Sequence, residues 1–402
     1  MTDTSLPSLI DAQLPSVIEL RHLLHTIPEL GYEEHKTAFA IREALDRLGI
    51  AHTDGVPDAP TATIATIGDP SRPCIALRAD IDALPISERT GLPYASTHPG
   101  RMHACGHDGH SAGLVGAAAI LRQLAERLPV CVKLLWQPAE EGGGGARRLI
   151  DAGALDGRIG PKVQAIFGLH GWPRLKVGLA ATRPGVLLAS TDNFTVTVTG
   201  RGCHGAYPHL GRDPLAAACQ MVLSLQQVIS REVDPTEPAV LTVAQFNGGT
   251  AFNVIPSSVS FAGTARAIAP QTRRQVREAF ERHCRGIAAA SDCAAEVQWM
   301  DGYPPTVNDP AMAEYVGHVA RQALGAERFV PVARPSMGGE DFAYYLQCVP
   351  GCFFFVGVEP PDCDDYPPLH SDRYDFTDAA LATSMRMLVE VAMRYADRPE
   401  YG

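Results

Sequence analysis

A nine-residue segment, 102–110, holds the densest group of metal-ligand side chains in the sequence: three histidines, one cysteine and one aspartate. Cys105 and His107 are two positions apart, so a thiolate and an imidazole could reach the same ion from one turn of chain. Sulfur and imidazole nitrogen together suit zinc or a similar divalent metal. The alternative is a polar loop that caps the helix predicted after it, so the rest of the chain has to decide between the two.

Other side chains of the same kind stand next to predicted strands. Glu140 and Glu141 follow one apolar run, His170 ends another, and His370 lies in a proline-rich loop. Open α/β sheets place their sites at the carboxyl ends of strands, so we expect these residues to meet the cysteine and histidine of the first segment. Two divalent metal ions about 3.5–4 Å apart would need several ligands of this kind.

The two adjacent glutamates indicate two different roles. They follow a predicted buried strand and precede four glycines, which favours a close approach of backbone over a surface turn. On an irregular loop, neighbouring carboxylates can face different partners. One can therefore bind a metal while the other accepts a proton from water.

Length, composition and charge define the class of protein. With 402 residues the chain is longer than one compact core usually supports, so we expect two domains. A hydrophobic fraction of 46% with 20% charged residues is typical of a folded soluble protein and excludes a disordered one. The net charge of −11 argues against nucleic acid as a partner.

The sequence predicts neither a targeting signal nor disulfide bonds. Residues 1–15 lack a basic region followed by an apolar stretch, and no stretch approaches the ~18 apolar residues of a membrane span. The ten cysteines show no paired spacing. We therefore expect free thiols, a cytoplasmic location and no membrane partner.

Apolar periodicity predicts an α/β framework. The predicted elements alternate along the chain, with strands at 62–68, 74–78, 131–136, 163–169 and 352–358, and helices at 14–25, 35–48, 114–128 and 378–395. This order predicts a doubly wound mixed sheet formed by residues 1–185 and 300–402. Between these parts, residues 186–299 show the order βαββαβ, which predicts an inserted α+β domain of the ferredoxin-like type.

Eight short motifs carry a resemblance to a known family. In chain order they are RADIDALP (78–85), ACGHDGH (104–110), QPAEEG (137–142), GLH (168–170), CHGAYP (203–208), NVIP (253–256), MGGEDF (337–342) and LHS (369–371). The chain resembles the metal-dependent amidohydrolase family of hippurate hydrolases, N-acyl-amino-acid aminoacylases and indole-acetyl-amino-acid hydrolases. That family is a branch of the two-metal aminoacylase and carboxypeptidase superfamily, and the resemblance covers residues 16–395.

The resemblance implies a role for each matching residue of the α/β domain. The metal ligands would be Cys105, His107, Glu141, His170 and His370, and Glu140 would be the general acid/base. The wider superfamily has a His-x-Asp motif where this chain has an aspartate at position 80. His107 would substitute for the missing histidine, and Asp82 would orient a ligand.

The resemblance also implies a role for the inserted domain. It would act as a lid and would mediate a homodimer or a dimer of dimers. His204 would reach an active site, either of its own chain or of the partner. Asn253 and Arg266 would bind oxygen or carboxylate groups of the substrate.

The implied reaction is hydrolysis of the amide bond of N-acyl-L-amino acids, with two divalent metal ions per subunit. Zinc is expected, with manganese, cobalt or nickel as alternatives. Hydroxide produced at the metals would attack the amide carbonyl while Glu140 takes the proton and later returns it to the amine. The metals and His204 would stabilise the oxyanion, and the products would be a carboxylic acid and a free amino acid.

Three other functions are compatible with parts of the sequence. A dipeptidase or carboxypeptidase would use the same site on an acyl group that is itself an amino acid. A cysteine hydrolase based on Cys105 would leave both glutamates and two histidines without a role. A non-catalytic binding protein would require the loss of some catalytic residue, whereas all of them are present.

Overall fold

The computed structural model of the chain describes residues 5–363 and 365–398. The α-helices are α1 (Leu6–Thr26), α2 (His35–Arg47), α3 (His107–Gln123), α4 (Gly145–Ala152), α5 (Pro214–Gln227), α6 (Pro270–Ala290), α7 (Pro310–Leu324), α8 (Ala343–Leu346) and α9 (Ala379–Met393). The strands are β1 (Thr63–Ile67), β2 (Cys74–Asp80), β3 (Cys131–Gln137), β4 (Val163–Lys176), β5 (Ala180–Thr182), β6 (Gly185–Leu188), β7 (Asp192–Thr199), β8 (Cys203–His204), β9 (Ala239–Gly248), β10 (Val254–Ile255), β11 (Ser258–Ala267), β12 (Ala294–Asp301), β13 (Thr306–Asn308), β14 (Phe329–Pro331) and β15 (Gly351–Glu359).

The chain divides into two compact units. The inserted unit consists of Leu188–Thr306 together with Arg334–Glu340, and the rest of the described chain forms the main unit. The predicted insertion, 186–299, lacks the second of these segments. The second segment is separated from the first by 27 residues of the main unit, Val307–Ala333. Apolar periodicity describes only neighbouring positions, so it could not show that the chain re-enters the inserted unit.

The main unit is built on a seven-stranded mixed sheet, which confirms the predicted fold class. Its strand order is β1-β3-β2-β4-β15-β5-β14. The four strands from β3 to β15 in this order are parallel, whereas β1 pairs with β3 and β5 pairs with β15 in the antiparallel sense. Every residue of β2, β3 and β15 is buried, as expected for strands with helices on both faces.

Helix α3 lies at the centre of the main unit. Every residue from His107 to Leu121 is buried, and α1 and α9 both pack against the helix. The prediction placed its start at residue 114, seven positions too late, because residues 107–113 are polar or small and show no apolar periodicity. Across residues 5–363 and 365–398 we find no helix with the length and hydropathy of a membrane span.

The inserted unit contains a four-stranded antiparallel sheet with the order β12-β7-β11-β9. Burial alternates along β7, where Phe194, Val196 and Val198 enter the core and the residues between them do not. This period-two pattern is typical of a strand with one covered face. Helices α5 and α6 contribute Met221 and Phe280 to the same core.

Candidate metal centre

Cys105 and His107 lie at the N-terminal end of α3. Gly106 between them caps the helix with a φ of 89°, a left-handed conformation that glycine adopts without strain. Both flanking residues are buried, with 7% and 1% exposure. Cys105 Sγ lies 3.3 Å from Nε2 of His170. The segment is therefore a loop only as far as the glycine, and His107 belongs to the helix.

His170 lies within β4 and not at its end as predicted, because β4 continues to Lys176 beside β15. Its Nδ1 donates a hydrogen bond to the Gly171 carbonyl at 2.7 Å, so its Nε2 is the unprotonated nitrogen that faces Cys105. Burial lowers the pKa of His170 well below its ordinary value. A neutral imidazole with its Nε2 lone pair available is the form that binds a metal ion.

His107 presents its Nε2 to the same space. Its Nδ1 donates to the backbone oxygen of Asp82 at 2.8 Å and lies 3.2 Å from Oδ1 of the same residue. Its Nε2 is buried and has no hydrogen-bond partner. Burial opposes protonation, but the Asp80 and Asp82 carboxylates outweigh it and raise the pKa of His107 to about 10. A cation at Nε2 would satisfy this nitrogen and replace the proton.

Glu141 and His370 complete the set of predicted ligands. Glu141 Oε1 lies 3.3 Å from Nε2 of His370, whose side chain is half exposed. The backbone N–H of Glu141 donates to Asp82 Oδ2 at 2.9 Å. The backbone N–H of His370 donates to the Ala104 carbonyl at 2.8 Å, which ties this loop to the segment before α3. Asp82 thus orients both the His107 ring and the loop of Glu141.

These residues form two overlapping groups that fit a divalent metal centre. The ligand atoms of Cys105, His107 and His170 lie within 4.8 Å of one another, and so do those of Cys105, Glu141 and His370. Burial, followed by the charge of Glu141, raises the pKa of Cys105 well above its ordinary value. A divalent cation would offset this, because a coordinating thiol gives up its proton. Sulfur, nitrogen and oxygen donors around one thiol suit zinc and related metals.

Glu140 is placed differently from its neighbour. Its side chain is buried, its Oε1 accepts a hydrogen bond from the backbone N–H of Asp341 at 3.3 Å, and it lies in a group with His107 and Glu141 but in neither group that contains Cys105. A carboxylate that lies beside the ligands can exchange a proton with a water at the centre.

His110 has the residue type of a ligand, and its ligand atom lies within 4.8 Å of those of Asp80 and His107, but its ring nitrogens have other partners. Its Nε2 accepts the backbone N–H of Gly171 at 2.7 Å, and its Nδ1 donates to Asp80 Oδ1 at 2.6 Å. Both ring nitrogens are therefore occupied. Burial raises the pKa of Asp80, but the charges of His107 and Arg78 and the hydrogen bond from His110 outweigh burial and hold this pKa well below its ordinary value.

Asp341 is a residue of the site to which the sequence assigned no role. Its carboxylate accepts hydrogen bonds from Arg78 Nη2 at 2.8 Å, from Gln137 Nε2 at 2.9 Å and from the Ala146 backbone at 2.9 Å. Burial raises its pKa to about 6, against the opposing charge of Arg78. The motif MGGEDF contains this aspartate, but only the fold shows that it lies beneath the Glu140 loop.

The three predicted residues of the inserted unit lie on or next to its strands. His204 is exposed on β8, and its Nδ1 accepts the Ala206 N–H at 3.0 Å. Asn253 is its neighbour, because the Gly205 N–H donates to the Asn253 carbonyl at 2.7 Å. Arg266 lies half-buried on β11, and burial lowers its pKa. Their roles stay predictions.

A buried ion cluster fixes the first turn of α3 to α1. Asp108 accepts hydrogen bonds from Arg21 Nε at 3.1 Å and from His25 Nδ1 at 2.9 Å. His25 Nε2 lies 3.3 Å from Glu88 Oε1, so both ring nitrogens face carboxylates. Burial opposes protonation, but Asp108 and Glu88 together raise the pKa of His25 from 6.5 to about 10.

We expect His25→Asn to lower the free energy of unfolding by about 2 kcal/mol at pH 6, because a buried hydrogen bond to a charged group is lost. The folded pKa is raised, so this contribution is fully present below pH 6.5 and is lost as the pH rises through about 10. The difference between variant and parent in urea unfolding should therefore shrink from pH 6 to pH 10. A difference that is constant across this range would mean that His25 is neutral in the folded protein.

The sequence and the fold match those of known proteins. The model of peptidase family M20/M25/M40 matches residues 76–394. N-acetyl-L-cysteine deacetylase from Bacillus subtilis is 42% identical over 394 residues, which cover 98% of this chain and 90% of that protein. IAA-amino acid hydrolase ILR1-like 5 from Arabidopsis thaliana is 39% identical over 383 residues, with 94% and 86% covered. The crystal structure of a dinuclear metal-binding peptidase of the M20 family from Bacillus subtilis has a TM-score of 0.82 and 36% identity, with 97% of this chain and 100% of that chain covered.

Proposed function

The chain belongs to peptidase family M20/M25/M40 as a metal-dependent amidohydrolase, and we propose that it hydrolyses the amide bond of N-acyl-L-amino acids. The observation that carries this proposal is the pair of ligand groups that share Cys105, with Glu140 beside them. Two relatives named for a deacetylation and for hydrolysis of an amino acid conjugate support the substrate class. The products would be a carboxylic acid and a free amino acid.

The five ligand residues would hold two divalent metal ions, which supply a Lewis acid and lower the pKa of water in the site. Asp82 keeps His107 in the tautomer with its lone pair on Nε2 and holds the loop of Glu141 in place. Glu140 accepts the proton of the attacking water and returns it to the departing amine. His204 donates to the developing oxyanion, while Asn253 and Arg266 bind the substrate's oxygen and carboxylate groups.

A substrate panel tests this function. The metal-loaded protein would be assayed with benzoyl, acetyl, indole-acetyl and succinyl derivatives of amino acids and with dipeptides, by release of free amino acid. We expect hydrolysis of the N-acyl amino acids, loss of activity with a chelator, and recovery with zinc, manganese, cobalt or nickel. Faster cleavage of dipeptides would make the protein a peptidase. Hydrolysis that survives the chelator but not thiol alkylation would make it a cysteine hydrolase.

Replacing the shared thiol tests the metal centre directly. We expect Cys105→Ser to retain less metal than the parent after dialysis, because a neutral hydroxyl is a far poorer ligand than a thiolate. Cys352→Ser is the matched control, since Cys352 is also buried, on β15, but faces the hydroxyl of Thr182 and not the ligands. A Cys105→Ser protein with the metal content of the parent would show that this thiol is not a ligand.

We also place the protein in the cytoplasm and assign it a homodimer formed through the inserted unit, with a dimer of dimers as the alternative. Ten free thiols support a reducing compartment. Five large apolar side chains of the inserted unit are more than half exposed, which supports a surface that a second subunit covers: those of Tyr207, Leu210, Leu223, Phe252 and Met300. A solution mass equal to one chain would contradict the dimer.

A further inference from the structure

A segment that supplies none of the predicted metal ligands contacts both loops that carry the acidic residues of the site. We call residues 29–34, which precede α2, the clasp segment. The Ala83 N–H donates to the Glu29 carbonyl at 2.8 Å, and Leu30 forms a parallel bridge with Ala83, next to Asp82. The same segment reaches the loop 139–143, which contains Glu140. The clasp segment lies outside the residues that the family model matches.

Glu34 fixes the start of the Glu140 loop. Its residue is fully buried, its Oε1 accepts the Ala139 N–H at 2.9 Å, and its Oε2 accepts the Thr61 hydroxyl at 2.8 Å. Ala139 has a φ of 54°, in the left-handed region that an alanine disfavours. This backbone conformation directly precedes Glu140 and therefore sets the direction in which that side chain leaves the loop.

Tyr32 fixes the other end of the loop. Its hydroxyl donates to the Gly143 carbonyl at 2.8 Å, and its own backbone has a φ of 66°. Gly31 permits the close approach, because a Cβ there would lie only 3.0 Å from the Cβ of Ala139. The clasp segment thus bonds to backbone groups of the loop on both sides of the glutamates.

We propose that Glu34 and Tyr32 are positioning residues that hold the loop 139–143 in the conformation in which Glu140 faces the metal centre. The inference rests on the proposed function, because the two residues would affect catalysis only by positioning Glu140. It predicts an effect on kcat rather than on KM, since neither residue is assigned a contact with substrate. It also predicts that backbone amide hydrogens of the loop exchange faster when either residue is replaced. This exchange rate can be measured without any reaction.

Tyr32→Phe removes one hydroxyl and tests the far end of the loop. We expect kcat to fall about 10- to 100-fold with KM unchanged, because a small misplacement of a catalytic group has effects of this size. Tyr315→Phe is the matched control: its hydroxyl also donates to one backbone carbonyl, that of Val391, but between α7 and α9. The control should lower the melting temperature at least as much and leave kcat unchanged. A Tyr32→Phe enzyme with the parent's kcat would overturn the role of Tyr32.

Two substitutions at Glu34 separate the hydrogen bond from the charge. Glu34→Gln keeps an oxygen that can accept the Ala139 N–H, and its amide can donate to the Thr61 hydroxyl. We expect kcat near that of the parent for Glu34→Gln and a loss of about 100-fold for Glu34→Ala. Equal losses in both variants would overturn the proposal. If Glu34→Ala does not fold, Tyr32→Phe and its control still decide it.

Hydrogen exchange of the full-length metal-loaded protein provides the readout that is independent of turnover. Peptides covering residues 139–143 should exchange faster in Glu34→Ala and Tyr32→Phe than in the parent and in Tyr315→Phe. Unchanged exchange in both clasp variants would overturn the proposal even if the enzyme is active. A different result is that the parent hydrolyses no N-acyl amino acid while exchange in the loop still rises in Glu34→Ala and Tyr32→Phe. That result would contradict the proposed function and would still show that the clasp segment holds the loop.

Discussion

Glu140→Gln should bind metal as the parent does and lose about 10²- to 10⁴-fold in kcat. The substitution changes the size of the side chain little, and the amide oxygen can still accept the Asp341 N–H that holds Oε1 at 3.3 Å. An amide cannot take a proton from water or return it to the amine. The loss should therefore fall on kcat, with KM for an N-acyl amino acid nearly unchanged.

The neighbouring glutamate provides the control for this prediction. Glu141→Gln makes the same chemical change one residue later, at a carboxylate that lies 3.3 Å from His370 and in a group with Cys105. We expect this variant to lose metal, so that added metal restores part of its activity, whereas added metal should not rescue Glu140→Gln. Turnover of Glu140→Gln within about tenfold of the parent would reject the role of Glu140 as general acid/base.

The set of residues at the centre could be predicted because their types are informative and their positions are tied to strands. Glu140 and Glu141 follow β3, and the apolar runs of β2, β3 and β15 identified the parallel part of the sheet. Parallel strands bring their carboxyl ends to one edge, so ligand-type residues after several strands had to be neighbours.

The boundaries within the site could not be predicted in the same way. His107 lies in a helix and His170 within a strand, because tertiary packing extends α3 over small residues and β15 extends β4 beyond its apolar run. The different hydrogen bonding of His107 and His110 could not be read from the sequence either. The Gly171 N–H, which occupies Nε2 of His110, comes from 61 residues further along the chain.

The contact between the clasp segment and the Glu140 loop could not be predicted either, for a different reason. Glu34 and Tyr32 have no unusual spacing, and Glu34 precedes the loop that it holds by 105 residues. Nothing local marks a glutamate as the acceptor for one backbone N–H. The only local signals were the glycines, Gly31 in the clasp segment and Gly142 and Gly143 in the loop. Glycine is compatible with many turns, so these positions did not indicate a contact.

His204→Ala should lower kcat about 10²- to 10³-fold and leave metal content unchanged, because an oxyanion contact matters mainly in the transition state. The Ala206 N–H donates to His204 Nδ1 at 3.0 Å, so a neutral ring carries its proton on Nε2 and can donate from there. His209→Ala is the control, since His209 is an exposed histidine of the same unit without an assigned role. A His204→Ala enzyme with normal kcat would reject the role altogether.

Mixing two inactive proteins tests whether His204 acts across the proposed dimer. Equal amounts of His204→Ala and Glu140→Gln, once exchanged, would give about half heterodimers. If the histidine acts in trans, one site of each heterodimer contains both intact residues, so about a quarter of the parent activity should return. If it acts within its own chain, every site lacks one residue and no activity returns. Subunit exchange, measured with two differently tagged chains, must accompany the assay, because absence of recovery rejects action in trans only in a mixture that has exchanged.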